Sequence, residues 1–234
     1  TPYKDDMLIM PPTYGMYAVL ADINSIGMIK VPLDATFQLR PKEILAAVTP
    51  NTKAIFFCSP NNPSGNAFNS DDIQILLEEF DGIVVIDEAY IDFTDFPSWS
   101  EKRSNYPNLI VTQTLSKAFG LAGLRLGIAI ASSEIIALLK RIKPPYNINS
   151  LSQENAMEVL RDTKTVNTQI AESISERKRL AQELNTFSWV VKTYPSDANF
   201  LLVKVDDAAK RYTELLDQHI VTRDRSSQEN CENC

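Results

Sequence analysis

Residues Ile83-Val84-Val85-Ile86-Asp87 form an apolar, β-branched run that ends in a carboxylate. A short run of this kind indicates a strand that is buried on both faces of a parallel sheet. An ionised side chain at the end of a buried strand is costly unless it meets a positive group. We therefore expect Asp87 to face a cationic partner at the carboxyl edge of the sheet, where open parallel sheets bind their ligands.

Similar runs occur on both sides of this strand, and amphipathic segments separate them. The predicted strands are residues 7–10, 28–31, 54–58, 83–87, 109–114 and 125–131, and the predicted helices are 14–24, 41–47, 70–80 and 134–141. Strands that alternate with helical segments are typical of parallel strands joined by crossover helices. The pattern predicts an α/β fold, a mainly parallel sheet flanked by helices.

Consecutive prolines interrupt this alternation at Lys143-Pro144-Pro145, where a helix cannot continue. We place a domain boundary there, which gives a large domain at 1–147 and a smaller α+β domain at 148–234. For the smaller domain the pattern predicts one long helical region, two strands and a further helix, at residues 151–184, 189–193, 199–203 and 208–219.

Composition narrows the class of partner. The chain has 234 residues, 44% of them hydrophobic and 23% charged, which is typical of a globular protein. Its net charge of −7 argues against binding to nucleic acid or to an anionic membrane, so a small molecule is the expected partner. An odd count of three cysteines suits the reducing cytoplasm, and a single histidine, His219, excludes a histidine-rich metal centre, so we expect no metal.

A second group of polar residues follows another predicted strand. Thr114-Leu115-Ser116-Lys117 ends the run 109–114, and Arg125 follows eight residues after Lys117. A lysine at a strand end can form an imine with an aldehyde cofactor, while hydroxyls and an arginine suit a phosphate group. By itself, a serine–lysine pair in a loop is more often a solvated turn, so this reading needs support from other motifs.

Three motifs in order supply that support. Pro60-Asn61-Asn62-Pro63-Ser64-Gly65, Asp87-Glu88-Ala89-Tyr90 and the 114–117 motif with Arg125 resemble the signature of fold-type I pyridoxal-phosphate-dependent aminotransferases. The stretches 11–17 and 116–125 are similar to the branch of that family that acts on histidinol phosphate. The resemblance covers nearly the whole chain. It implies a homodimeric transferase of histidine biosynthesis, which moves an amino group from histidinol phosphate to 2-oxoglutarate and yields imidazole acetol phosphate and glutamate.

The resemblance also implies roles for individual residues. Lys117 would carry pyridoxal 5'-phosphate as a Schiff base and move the proton during catalysis, and Asp87 would pair with the pyridine nitrogen. Asn62 and Tyr90 would bind the phenolic oxygen of the cofactor, with Tyr90 counted among the catalytic residues.

The remaining roles concern the cofactor ring and the two phosphates. Tyr14 would stack on the ring with Ala89 packed behind it. The side chains expected at the cofactor phosphate are Thr114, Ser116 and Arg125. Arg223 resembles the arginine that helps to bind the substrate phosphate.

The chain departs from the family pattern at both ends. Relatives have a glycine-containing loop before the first predicted strand, and a Leu-Arg-Ile segment, whose arginine binds the substrate carboxylate, after the last. The chain as given is therefore expected to be weakly active or inactive. Two alternatives remain open: another fold-type I aminotransferase or a decarboxylase acting on aromatic or phosphorylated amino acids, and an inactive truncated chain.

Overall fold

The computed structural model describes residues 1–234 and contains one six-stranded sheet. Its strands are β1 Asp6–Ile9, β2 Gly27–Lys30, β3 Thr52–Cys58, β4 Ile83–Asp87, β5 Leu109–Thr114 and β6 Gly127–Ala131, in the order β2-β1-β3-β4-β5-β6. Every neighbouring pair is parallel except β5 and β6, which are antiparallel. The predicted α/β fold with a mainly parallel sheet is confirmed.

Four helices accompany the sheet strands: α1 Met16–Ile23, α2 Pro41–Ala46, α3 Ser70–Glu79 and α4 Ser133–Ile142. Helix α3 begins where Asn69 caps it, since the Asn69 side chain accepts a hydrogen bond from the backbone N–H of Asp71 at 2.9 Å. Apolar side chains from α2, α3 and the central strands form one buried core, which includes Ile44, Leu76 and Ile86. This core fixes the strands whose ends carry the candidate site.

The C-terminal part adds three helices and a two-stranded antiparallel sheet. These are α5 Ser150–Arg161, α6 Thr163–Leu184, β7 Val190–Thr193, β8 Val203–Val205 and α7 Ala208–Asp217. The prediction of a single helical region at 151–184 was wrong in one respect, because this stretch forms two helices. Asp162 ends α5 and caps α6 by accepting the N–H of Thr165 at 3.1 Å, so its side chain replaces the helical backbone bond.

The strand predicted at 199–203 was also misplaced, because β8 begins only at Val203. The Ser196 hydroxyl donates to the carbonyl of Phe200 at 2.6 Å and accepts from the N–H of Ala198 at 3.1 Å. These local bonds hold residues 196–200 in a turn, and a turn cannot join a strand ladder.

The turn at 196–200 is hydrogen-bonded to the loop that follows β3. The N–H of Asp197 donates to the carbonyl of Gly65 at 2.7 Å, and the Asp197 carboxylate accepts from the N–H of Ala67 at 2.8 Å. Leu202, Cys231 and Cys234 also lie in the main core beside the sheet. All three cysteines of the chain are free thiols and buried. The N-terminal and C-terminal parts therefore share both polar contacts and core.

Two features of the structure concern membranes and metal ions as possible partners. No helix has the length and apolar character needed to cross a membrane. No cluster of three or more histidine, cysteine, aspartate or glutamate side chains is placed to hold a metal ion.

Candidate active site

The candidate site lies at the carboxyl ends of β3, β4 and β5. Cys58 pairs with Asp87 in the sheet register, and Asp87 pairs with Thr112, so these three parallel strands end close to one another. The loops that follow them start from one edge of the sheet, which is where ligands bind to open α/β sheets. The register therefore brings the three sequence motifs to one region.

Asp87 accepts two hydrogen bonds, one on each carboxylate oxygen. The N–H of Ala89 donates to Oδ1 at 3.1 Å, and the Tyr17 hydroxyl donates to Oδ2 at 2.8 Å. Burial raises the pKa of Asp87, whereas the two hydrogen bonds and the positive charge of Lys117 act to lower the pKa. Lys117 therefore lies near enough to Asp87 for its charge to act on the carboxylate.

Lys117, Tyr90 and Asn62 form a second group beside this carboxylate. The Asn62 side-chain amide donates to the Tyr90 hydroxyl at 3.1 Å, and the Lys117 Nζ lies 5.3 Å from the centroid of the Tyr90 ring. Burial raises the pKa of Tyr90, and the hydrogen bond from Asn62 opposes that change. Tyr90 is buried while Lys117 is exposed, so the amine can reach a molecule that enters from solvent.

Asn61 anchors the loop that presents Asn62. Its fully buried amide donates to the carbonyl of Pro12 at 2.9 Å and to the Ser64 hydroxyl at 2.8 Å, and its oxygen accepts from the Thr13 hydroxyl at 3.2 Å. Polar groups at this depth stabilise a structure only when they are paired, as these are. Asn61 therefore links the loop after β3 to the segment that precedes α1.

Tyr14 lies in that segment, two residues before α1 begins. Its side chain is 45% exposed, and its ring meets the ring of Tyr17 edge to face, with the centroids 5.6 Å apart. Ala89 is half-buried and packs against the small apolar cluster that contains Tyr17 and Tyr90. An aromatic ring and a small residue therefore both lie close to residues that contact Asp87.

The thiol of Cys58 lies beside Asp87 on the neighbouring strand. It donates to the carbonyl of Pro60 at 3.0 Å. Burial raises its pKa well above the ordinary value, and the nearby Asp87 charge raises the pKa further. The thiol is therefore neutral and serves as a packed, hydrogen-bonded part of the strand end.

Residues 114–126 form one folded-back loop after β5. The Thr114 hydroxyl donates to the carbonyl of Leu126 at 3.2 Å and accepts from the N–H of Ser116 at 3.1 Å. Arg125 has a left-handed backbone, with φ of 56°, and its exposed guanidinium donates to the carbonyl of Ala122 at 2.9 Å. The three candidates for phosphate binding thus belong to one loop that begins at the candidate site.

Arg223 is not connected to this group. It is exposed in the C-terminal segment, and its single hydrogen bond runs to the carbonyl of the adjacent Thr222 at 3.4 Å. No hydrogen bond or ion pair joins it to the other candidate residues.

Residues 2–234 match the profile of aminotransferases of class I and II. The chain belongs to this aminotransferase family. The resemblance to fold-type I aminotransferases that the sequence motifs indicated is confirmed.

Named relatives and solved structures agree with membership of the aminotransferase family. The histidinol-phosphate aminotransferase of Flavobacterium psychrophilum is 54% identical over 233 residues, which cover 100% of this chain and 67% of that protein. The crystal structure of histidinol-phosphate aminotransferase from Clostridium acetobutylicum is 28% identical with a TM-score of 0.89, covering 96% of this chain and 69% of that one.

A second solved structure shows the same fold at lower identity. It is histidinol-phosphate aminotransferase from Sinorhizobium meliloti in complex with pyridoxal-5'-phosphate, 21% identical with a TM-score of 0.83, covering 94% of this chain and 62% of that one. The chain spans about two thirds of the length of these aminotransferases.

Two residues that support the candidate site, Tyr17 and Asn61, were not predicted from the sequence. Tyr17 lies three residues after Tyr14, a spacing that places two side chains on the same face of a helix, so a search for partners of Tyr14 could have found it. Asn61 stands next to Asn62 in a turn-like sequence, which gives no signal as to which amide is buried.

Proposed function

We propose that this chain carries out the chemistry of a pyridoxal-phosphate-dependent aminotransferase, with histidinol phosphate as amino donor and 2-oxoglutarate as acceptor. The observation that carries the proposal is that Lys117, Asp87 and the Asn62–Tyr90 pair meet at one sheet edge. The choice of substrates is supported by the name of the Flavobacterium psychrophilum relative, which is 54% identical.

The residues at this edge fit the chemical groups of pyridoxal phosphate. Asp87 accepts one hydrogen bond on each oxygen, and a carboxylate has about four lone-pair sites, so it can accept another from a ring nitrogen. The Asn62 amide and the Tyr90 hydroxyl offer donors for a phenolate oxygen. An exposed amine suits an aldehyde.

When bound, the cofactor supplies an electron sink that makes the α-proton of the substrate removable. Lys117 would hold the cofactor covalently through Nζ and would carry the proton between substrate and cofactor. Asp87 would keep the ring nitrogen protonated by offering its negative charge. Tyr90, with its hydroxyl held by Asn62, would bind the phenolic oxygen.

The surrounding residues would orient the cofactor. Tyr14 would cover one face of the ring, and Ala89 would support the other. The side chains that we propose for the cofactor phosphate are Thr114, Ser116 and Arg125, which share one loop. We assign Arg223 to the substrate phosphate on the strength of its sequence position.

This chain would be organised in two domains. Residues 1–147 would form the cofactor-binding domain, and residues 148–234 the smaller domain. A homodimer is supported by four apolar side chains on α1 that are 40–71% exposed: Met16, Val19, Leu20 and Ile23. Three free cysteines suit the cytoplasm.

Reconstitution with pyridoxal phosphate tests the assignment of Lys117. The wild-type chain is expected to develop the visible absorbance of a lysine-bound cofactor, and Lys117→Ala is expected to lack it. Amino transfer from histidinol phosphate should fall by roughly 10²- to 10⁴-fold in the variant, which is the usual contribution of a positioned acid–base group. Lys140→Ala, at an exposed position on α4, is the matched control and should leave the absorbance unchanged.

Two results would contradict the proposal. The same absorbance in Lys117→Ala as in the wild type would remove Lys117 from its role. Faster amino transfer from an aromatic or a phosphorylated amino acid than from histidinol phosphate would overturn the substrate assignment while leaving the cofactor site intact.

A further inference from the structure

Tyr17 occupies a position between two elements of the candidate site. It is only 3% exposed, and its hydroxyl donates to Asp87 Oδ2 at 2.8 Å. Its ring centroid lies 4.5 Å from that of Phe56 on β3 and 5.6 Å from that of Tyr14. One buried phenol therefore contacts the carboxylate proposed for the ring nitrogen and the aromatic ring proposed to cover the cofactor.

We propose that Tyr17 is a positioning residue that orients Asp87 and keeps it ionised, so that the carboxylate holds the cofactor ring nitrogen in its protonated form. This inference rests on the proposed function, in which Asp87 pairs with that nitrogen. Tyr17 acts through Asp87 and does not itself touch the cofactor nitrogen.

The hydrogen-bond pattern around Asp87 favours this role. The backbone N–H of Ala89 can only donate, so Oδ1 must accept, and the Tyr17 hydroxyl fixes the rotation of the carboxylate by binding Oδ2. Both bonds are strongest when the carboxylate is charged. The lone pairs left over then point away from these donors and remain available to a third donor.

Burial opposes the charged form, so the donors have to compensate for it. Burial raises the pKa of Asp87, and the hydrogen bond from Tyr17 is the largest of the effects that lower the pKa, ahead of those from Ala89, Thr112 and Lys117. The neighbouring Cys58 thiol does not help, because it donates to the carbonyl of Pro60. Loss of the Tyr17 hydroxyl would leave a less charged and less constrained Asp87.

Tyr17→Phe removes this hydroxyl and keeps the ring that packs on Phe56. We expect the Kd of the full chain for pyridoxal phosphate to rise roughly 10- to 100-fold, the range for losing a hydrogen bond to a charged group. The Kd for 1-deaza-pyridoxal phosphate, which has carbon in place of the ring nitrogen, should change less than about threefold. The ¹⁵N resonance of ring-labelled cofactor should move from the pyridinium position toward that of neutral pyridine.

Tyr194→Phe is the matched control. Its ring also packs edge to face on another aromatic, Phe37, with the centroids 5.2 Å apart, and its hydroxyl makes no hydrogen bond. It should leave both Kd values and the ¹⁵N resonance unchanged. Comparison of two cofactors on the same preparation cancels any partial loss of folding in Tyr17→Phe.

The outcomes separate this inference from the proposed function. If Tyr17→Phe weakened the binding of both cofactors equally, or changed neither the ¹⁵N resonance nor the Kd for pyridoxal phosphate, the role of Tyr17 would be overturned. The proposed function would be unaffected by either result. A further check adds Tyr17→Phe to Asp87→Asn, and the second substitution should then not change the Kd further. If Tyr17→Phe raised the Kd in the Asp87→Asn background as much as in the wild type, the role of Tyr17 would also be overturned. A wild-type chain without Lys117-dependent absorbance would overturn the proposed function and this inference with it.

Discussion

Glu88 should be one of the least replaceable residues of the chain, although it is not one of the candidate site residues. It is 1% exposed, and its carboxylate accepts three hydrogen bonds, from the Ser98 hydroxyl at 2.5 Å, the N–H of Trp99 at 2.7 Å and the Gln113 side-chain amide at 2.9 Å. These donors come from β5 and from the segment after β4. Glu88 thus joins the two chain segments that flank Asp87.

Glu88→Ala should lower the free energy of unfolding by about 2–4 kcal/mol. The buried N–H of Trp99 loses its only partner, at a cost of roughly 1–3 kcal/mol, whereas the Gln113 amide and the Ser98 hydroxyl keep their own bond at 3.3 Å. Truncation of a fully buried side chain adds the cost of a cavity, and the variant no longer buries a carboxylate, which offsets part of the loss. Urea unfolding followed by circular dichroism measures the change. Glu101→Ala is the matched control, because Glu101 is exposed in the same segment and its loss should change the free energy by about 0.5 kcal/mol or less.

The dependence of stability on pH tests the same hydrogen-bond network of Glu88 in a second way. Burial raises the pKa of Glu88, ahead of the hydrogen bonds from Ser98, Gln113 and Trp99, which lower it. A group whose pKa is higher when folded stabilises the protein below its unfolded pKa, and that contribution is lost as the pH rises through the folded pKa. The stability gap between wild type and Glu88→Gln should therefore be larger near pH 4 than near pH 7.

A loss of less than about 1 kcal/mol in Glu88→Ala would refute the reasoning, since an unpaired buried N–H at Trp99 could not then be present. A gap to Glu88→Gln that widens as the pH rises would show that the sign of the pKa shift is wrong. The first result would mean that water enters the network and replaces the carboxylate, and the second that the three hydrogen bonds outweigh burial.

Two further predictions concern the loop after β3 and the site carboxylate. Gly65→Ala should lower the free energy of unfolding by about 1–3 kcal/mol in a urea titration, because Gly65 has φ of +83° and a new Cβ would lie 2.7 Å from the Ser196 hydroxyl oxygen. Gly123→Ala is the control and should have little effect in the same titration, because a Cβ at Gly123 would meet nothing within 4 Å. Asp87→Asn should leave the cofactor-free chain at least as stable at pH 7 as the wild type, since burial raises the pKa of Asp87 and the amide avoids the cost of a buried charge. The same variant should bind pyridoxal phosphate more weakly. A cofactor-free variant that is less stable than the wild type in thermal unfolding would contradict this prediction.

The central strands were predictable because burial on both faces leaves a simple signature. The runs 83–87 and 109–114 coincide with β4 and β5, and each contains four β-branched residues. The break at Asp162 was not predictable from the pattern, because the helical pattern continues on both sides of it. A cap depends on which way one short side chain turns, and hydrophobic periodicity carries no information on that.

The candidate site was predictable where it depends on strand ends and not where it depends on distant pairs. Asp87 ends one predicted strand, and Lys117 and Asn62 follow two others, so topology alone brings them to one edge. Tyr17 meets Asp87 across 70 residues of sequence, and Thr13 meets Asn61 across 48. The packing of α1 against β3 decides these contacts, and no local pattern encodes it.

The bonds from Asp197 to Gly65 and Ala67 join positions 132 and 130 residues apart and have a practical consequence for anyone who cuts this chain. The connection near Tyr146, whose side chain is 96% exposed, offers a protease an open target. A single cut there would separate two polypeptides covalently but leave their shared core and these bonds in place. The nicked molecule would stay together as a complemented pair of fragments, and each fragment made alone would lack surfaces that the other one covers.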